Sequence, residues 1–466
     1  MLAKSGHGLI LIENAPALAQ AFGGDLGLVP QPWFEARRGL GFQGVLLENV
    51  WEGAERPESG GMAEAFLPAG ALGGCSALIQ FRNNAREFGL SLLLDFNSNG
   101  ISQNNPLVRL RPDWMVAQTQ TPENDQGEAA WYPMEVETGK VWAMARGKDP
   151  YFPPVPGSTQ WNPCHPGMRE HLKSLLARTA TFCDGMYFPS AMLALPESLE
   201  KTWGNAARPV LGGACLADSP WPALLDSARD VNPGFLALAE VYWGLEWDLM
   251  RQGFDFCLDQ RLTQRLDQRD WPGLVAHLAA PWDFLGHTLH RWQGPLPYAL
   301  GEKNPADLIR WNLFLATPGL KLIEAKDVAK LLEAEVDGQY PAGVEPSAGH
   351  TSLQILSKVG EDWSFRLVDF PGYQAGFDGR NLGLVWSSHH PKGTSADHVV
   401  LIANVAGKNE KNELAIDLDL AQSLDSASGL ADGKTATGIQ AHARENCVRL
   451  TVEAEAVSLS RIHASR

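Results

Sequence analysis

No cysteine in this chain stands near another. Cys75, Cys164, Cys183, Cys215, Cys257 and Cys447 are scattered without a CxxC pair, so neither a disulfide framework nor a zinc site is indicated, and reduced, mostly buried thiols are expected. Basic residues are the minority. With 38 Lys and Arg against 54 Asp and Glu, a formal net charge of −16 and no Lys/Arg run, the chain lacks the charge that a phosphate backbone would attract, which excludes nucleic acid as a partner. Long apolar runs are missing as well. The run Gly8–Ile12 ends at Glu13, too short for a span of about 20 residues and without a signal-peptide layout. No membrane partner is expected, and the location read from these absences is the cytoplasm.

What is present is length and apolar content. The 466 residues, 44% hydrophobic, suit two or three domains at roughly 100–200 residues each, one of them a barrel of about 250. Up to about residue 335, short apolar runs alternate with helix-like segments, the pattern of a parallel sheet wrapped by helices. Candidate strands are Leu9–Ile12, Gly44–Leu47, Ser91–Leu94, Gly185–Phe188, Leu236–Ala239, Phe254–Leu258, Phe284–Leu285 and Leu320–Ile323. Between them, Cys75–Phe88, Gly167–Thr181, Leu245–Arg251 and Ala306–Leu315 carry apolar residues at three- and four-residue spacing, which predicts outer helices. Eight strands suit a (β/α)8 barrel over residues 1–96 and 166–340.

The connection after the third strand is too long for a plain loop. Residues 97–165 are read as an inserted subdomain rich in aromatics: Trp114, Trp131, Tyr132, Trp142, Tyr151, Phe152 and Trp161. Such rings either stack on the C–H faces of sugars or form the insertion's own small core. Asp113, Asn124 and Asp125 lack recognisable ligand spacing, so no metal and no obligatory cofactor are expected. Beyond about residue 345 the period becomes two, as in Ser364–Asp369, Val399–Asn404 and Arg449–Ser458, which predicts a C-terminal all-β sandwich over 345–466.

Several strand ends carry recognisable residues. Gly41–Trp51 (GFQGVLLENVW), Leu92–Pro106 (LLLDFNSNGISQNNP), Lys148–Pro153 (KDPYFP), Asp184–Leu193 (DGMYFPSAML) and Ala237–Arg265, which begins ALAEVYWGLEW, resemble a bacterial branch of the α-amylase family. The resemblance covers about the first 325 residues. It implies a site at the C-terminal ends of the strands, with a nucleophilic Asp after strand four, an acid/base Glu after strand five and a supporting Asp after strand seven. Retaining glycoside hydrolysis requires two carboxyl groups about 5–5.5 Å apart, one to attack the anomeric carbon and one to protonate the leaving oxygen.

Carried over position by position, the resemblance is uneven. The family's A-E at strand five is intact, with Glu240 at the acid/base place. G-V-R-x-D aligns with Gly185–Pro189, so Tyr187 replaces the arginine and Pro189 the nucleophile. N-H-D aligns with Gly286-His287-Thr288, which keeps the imidazole of His287 and puts Thr288 in place of the acid. D-x-x-x-N-H keeps Asp95 and Asn99 but replaces the histidine with Gly100, and the glycine-rich turn after strand eight becomes Glu324–Asp327. Glu240 stands as the remaining catalytic carboxylate, with Asp95, Asn99, Tyr242, Trp243 and His287 as substrate-binding candidates.

Three functions follow from this pattern. One is a degenerate glycoside hydrolase that binds α-glucan or maltooligosaccharide with little or no hydrolysis, as expected when members of a catalytic unit are lost. The second is an active glycosidase or transglycosylase with Glu240 as acid/base and a nucleophile from elsewhere, Glu197 and Asp218 being the first to test. The third is a scaffold with a closed pocket. Each side chain also has a structural alternative: Glu240 bonding loop backbone, Asp95 holding the loop after strand three, His287 a satisfied core residue.

Overall fold

The alternation of apolar runs and amphipathic segments builds a closed barrel. The computed structural model describes residues 2, 6–54, 62–119, 130–136, 138–209, 216–292, 305–329, 359, 363–367, 375–388, 395–405, 412–416, 423–431, 434–435, 440–444, 447–452 and 457–465. Eight strands form the barrel: β1 (His7–Asn14), β2 (Gly44–Glu48), β3 (Ser91–Asp95), β4 (Gly185–Phe188), β5 (Leu236–Ala239), β6 (Phe256–Leu258), β7 (Thr288–Arg291) and β8 (Gly319–Glu324). They close in the order β1-β8-β7-β6-β5-β4-β3-β2. All four residues of β5, Leu-Ala-Leu-Ala, are buried, as a strand covered on both faces requires.

Helices lie between the strands as the spacing predicts, among them Gly74–Glu87, Pro166–Thr179, Glu246–Arg251 and Pro305–Ala316. Their starts are set by local chemistry. Asn14 accepts the Ala17 N–H at 3.0 Å and Asp259 accepts that of Arg261 at 3.0 Å, each satisfying one of the orphan donors of a first turn. His165 caps Pro166–Thr179 through Nδ1, which accepts from the N–H of Gly167 at 3.0 Å.

The chain divides into two compact units, residues 12–31 with 44–258, and residues 2–11 with 32–43 and 259–466. In the first unit, the stretch after β3 forms small antiparallel sheets. Gly100–Ser102 pairs with Ser158–Gln160, and Ala117–Gln118, Val141–Ala145 and Trp131–Glu135 make a three-stranded sheet. Its aromatics divide: Trp161, Trp142 and Tyr132 are buried, whereas Tyr151 and Phe152 are 62% and 71% exposed. In the second unit, the C-terminal region folds into one six-stranded and one three-stranded sheet. Trp386 of the strand Asn381–Ser388 donates its indole N–H to the Ala316 carbonyl at 2.7 Å, tying that β domain to the helix Pro305–Ala316.

One strand lies elsewhere than its hydrophobicity predicts. Phe284–Leu285 belongs to a short helix, Trp282–Leu285, and strand seven is Thr288-Leu289-His290-Arg291. Its polar residues conceal a buried strand. Thr288 Oγ1 donates to the Leu285 carbonyl at 2.8 Å, and His290 Nε2 lies 3.1 Å from the Pro318 carbonyl. In β8, Lys321 is fully buried with its Nζ donating to the carbonyls of Thr317, Pro318 and Gly319 at 2.8 Å each. Buried polar groups that are hydrogen-bonded in this way can occupy a core strand.

Of the cysteines, Cys164, Cys183 and Cys257 are buried and Cys75 is exposed, all four outside any disulfide; Cys215 lies outside the described residues. Asn124 and Asp125 of the insertion also lie outside them. No helix among the described residues is long and apolar enough to cross a membrane.

Candidate functional site

Three barrel strands of the first unit pass from apolar residues to an acid at their exits: Leu46-Leu47-Glu48, Leu93-Leu94-Asp95 and Leu238-Ala239-Glu240. The alternation of a strand and the parallel register place these acids at one end of the sheet. Leu47 pairs with Leu94, Asp95 with Tyr187, and Tyr187 with Leu238. Active sites of such barrels lie at this end of the strands.

The Glu240 carboxylate is held at both oxygens. Oε2 accepts the backbone N–H of Ser190 at 2.9 Å, and Oε1 accepts the hydroxyl of Tyr242. Ser190 reaches it because the chain turns sharply after β4, with Ser190 in the left-handed region at φ 47°. Backbone bonds from Glu240 N to Phe188 O at 3.0 Å and from Ala191 N to Glu240 O at 2.8 Å lock the two turns together. Asn99 joins from the loop after β3, its Nδ2 donating to the Ser190 carbonyl at 3.0 Å. Thus Glu240, Tyr242 and Asn99 are brought together, with Asn99 bonded to backbone.

Pro189 immediately precedes Ser190, at the end of β4, and carries no acid. Tyr187 is buried beside Asp95. An arginine there would draw the Asp95 carboxyl down; with tyrosine in its place, burial and then the Glu48 carboxylate push it up to about 7 from 3.8. Oδ1 of Asp95 is buried and has no hydrogen-bond partner. Its main-chain carbonyl accepts the indole N–H of Trp51 at 2.6 Å, so the residue also fixes the strand end.

Gly100 is not an open gap. It pairs with Gln160, and a Cβ at this position would meet the Thr159 carbonyl oxygen at 2.7 Å. Backbone has taken the space in which a side chain would stand.

Trp243 lies in the turn between β5 and the helix Glu246–Arg251. It is 41% exposed, and its φ of 66° is strained for an aromatic residue. Tyr151 meets it edge-on at 5.6 Å between ring centroids, and Lys201 Nζ donates to the Tyr151 hydroxyl at 2.5 Å while lying 5.4 Å from the Trp243 ring. The result is an accessible aromatic surface with a fixed cation.

His287 and Thr288 have a different place from the one predicted. His287 is in the turn before β7 and Thr288 is the first residue of that strand, so both stand at its entrance, whereas Asp95 and Glu240 stand at the exits of theirs. The register of the motif fails because strand seven begins three residues after Leu285. The exit of β7 carries Arg291, ion-paired with Glu324 at the end of β8. Asp218 is also committed elsewhere, ion-paired at 2.9 Å with Arg169, and Glu197 is exposed in the first turn of the helix Pro196–Trp203.

Sequence reasoning overlooked Glu48, Ser190 and Lys201. Glu48 had a readable signal, an acid ending an apolar run as Asp95 and Glu240 do. Ser190 acts through its backbone N–H, which any residue but proline supplies.

No protein-family model matches the chain, and no curated protein matches it by sequence. Solved structures do. An Anoxybacillus α-amylase is 11% identical with a TM-score of 0.61, covering 98% of each chain. The α-amylase of Geobacillus thermoleovorans, solved with acarbose, is 14% identical with a TM-score of 0.59 and the same coverage. A maltogenic α-amylase of Thermotoga neapolitana is 15% identical with a TM-score of 0.59, covering 97% of this chain and 98% of its own. At such low identity the likeness is one of fold, and this chain has the α-amylase-type (β/α)8 barrel followed by a C-terminal β domain.

Proposed function

We propose that this chain is a degenerate glycoside hydrolase that binds α-linked glucan, of maltooligosaccharide type, with little or no hydrolysis. The observation that carries the reading is the exit of β4. A retaining mechanism requires a nucleophile about 5–5.5 Å from the acid, and the chain presents Pro189 there, while the Glu240 carboxylate is engaged by Ser190 N–H and Tyr242 OH. Of the acids that could replace it, Asp218 is ion-paired with Arg169 and Glu197 is exposed in the first turn of its helix.

Binding is supported by what remains. Glu240 keeps lone pairs for sugar hydroxyls, and Tyr151, Phe152 and Trp243 expose rings of the kind that stack on sugar faces. The fold is that of enzymes whose solved complexes include acarbose. Three buried thiols outside any disulfide suit a reducing compartment, and we place the protein in the cytoplasm on that basis.

Calorimetric titration with maltooligosaccharides, followed by assay of the same samples for released sugar, tests the reading. Binding without release is expected. Release that Glu240→Gln abolishes would overturn it in favour of a working enzyme, and neither binding nor release would favour a scaffold.

A further inference from the structure

We propose that Gln160 and Asn99 are positioning residues for Glu240, so that the two ends of the inserted subdomain together hold the carboxylate that meets the saccharide. The ligand rests on the glucan-binding reading above; the chain of hydrogen bonds does not.

Three hydrogen bonds lead from the insertion to the carboxylate. Gln160 Nε2 donates to the Asn99 carbonyl at 2.7 Å, Asn99 Nδ2 donates to the Ser190 carbonyl at 3.0 Å, and the Ser190 N–H donates to Glu240 Oε2 at 2.9 Å. All four residues lie in the first unit. Gln160 and Asn99 are buried, where a hydrogen bond is electrostatically stronger than in water. Each amide is fixed in direction by what it faces. Gln160 Nε2 also donates to the Trp161 carbonyl at 3.2 Å, and Asn99 Nδ2 to that of Pro189 at 3.4 Å. Two carbonyl oxygens converge on each NH2 group, and an amide oxygen turned to the same place would face two acceptors with no proton between them.

The middle of the chain is a turn that needs holding. Ser190 stands at φ 47°, a conformation unfavourable for a residue with a Cβ, and from it the N–H reaches Glu240. Asn99 grips the carbonyl of that same residue. Asn99 is fixed in its turn, because its N–H donates to Asn97 Oδ1 at 3.0 Å and its carbonyl accepts the Trp161 N–H at 2.9 Å beside the Gln160 bond. Gly100 permits this approach. It pairs with Gln160, and only 2.7 Å separates the Thr159 carbonyl oxygen from the place a Cβ would take. A glycine where the resemblance expects a sugar-binding histidine therefore joins the two arms of the insertion.

Infrared difference spectra test the chain without a ligand. Subtracting Glu240→Gln from the parent isolates the Glu240 carboxylate stretches, and the same subtraction is made in Gln160→Met and Asn99→Leu, which keep similar volume and lack the donor. With both oxygens hydrogen-bonded the two C–O bonds are alike. Weakening the bond at Oε2 makes them unequal, and the symmetric and antisymmetric stretches should move further apart in both backgrounds. Ser158→Ala, on the same strand but bonded to Val155 and Gly147, should lower stability and leave the stretches where they are. Unmoved stretches in Gln160→Met and Asn99→Leu, or an equal movement in Ser158→Ala, overturn the positioning role.

Calorimetry with a maltooligosaccharide reads the consequence. Gln160→Met should bind about two- to tenfold more weakly than the parent, the fold-change of one weakened hydrogen bond. It should lower affinity no further in the Glu240→Gln background, as expected of residues that act in one chain. An equal loss in that background means a route other than Glu240 and overturns the proposal, and parent affinity in Gln160→Met overturns its bearing on the saccharide. Moved stretches with no glucan binding by the parent support the positioning role and overturn the functional reading instead.

Discussion

Replacing Asp95 with asparagine should stabilise the protein at alkaline pH and do so progressively less as the pH falls. The Asp95 carboxyl is raised in the folded chain from 3.8 to about 7 by burial and by Glu48. A raised carboxyl means the folded state holds the proton more tightly than the unfolded state. Its favourable contribution is therefore complete below about pH 4 and is lost as pH rises through about 7. Between pH 5 and pH 8 the loss works out at about 3 kcal/mol, and partial exposure of the side chain reduces this to roughly 2–3 kcal/mol. Asparagine keeps the shape and an acceptor oxygen but does not ionise. Urea unfolding of parent and Asp95→Asn at several pH values measures the difference, which should grow by that amount from pH 5 to pH 8. A difference independent of pH would show that Asp95 has the same proton affinity folded and unfolded, unperturbed by burial or by Glu48.

Other consequences concern neighbouring features. Gly100→His should fail to rebuild a sugar-binding imidazole and should cost about 1–3 kcal/mol by thermal unfolding, because its Cβ meets the Thr159 carbonyl at 2.7 Å. A variant that folds as stably as the parent and gains glucan affinity would refute this. Trp243→Gly should relieve the positive φ, raising stability by up to about 1 kcal/mol, while weakening maltooligosaccharide binding about tenfold through loss of the exposed ring. Unchanged affinity in calorimetry would remove Trp243 from the binding surface. For His165, burial lowers the pKa below 6.5, so its capping contribution is present above that value and is lost as acid protonates Nδ1. His165→Asn, with an amide acceptor at the cap, should lack this acid sensitivity, worth about 1 kcal/mol; equal pH profiles in denaturant unfolding would contradict it.

The barrel was largely readable because its strands bury both faces and its helices bury one. Runs such as Leu236–Ala239 and Leu92–Leu94 have no other plausible use in a chain of this pattern. Strand seven was misplaced for a physical reason: Thr288 and His290 satisfy their polar groups locally, so the strand carries little hydrophobic signal, while Phe284–Leu285 carries it inside a helical turn. That error moved His287 and Thr288 to the wrong end of the strand. In the candidate site, Glu240 and Asp95 could be found as acids ending apolar runs, and Glu48 by the same rule. Ser190 could not, since its part is played by backbone. The consequence of Tyr187 also needed the register, because only its pairing with Asp95 reveals which carboxyl the lost arginine would have faced.

On the proposed function, a glucan binds at the Glu240 end of the barrel and is not cleaved. Calorimetric titration of parent and Glu240→Gln with a maltooligosaccharide, with released sugar assayed in the same cells, tests it most directly. Saturable binding by the parent is expected, with binding by Glu240→Gln weaker by about 1–3 kcal/mol for a lost charged hydrogen bond, and no sugar release from either. Sugar released by the parent and not by Glu240→Gln would contradict it.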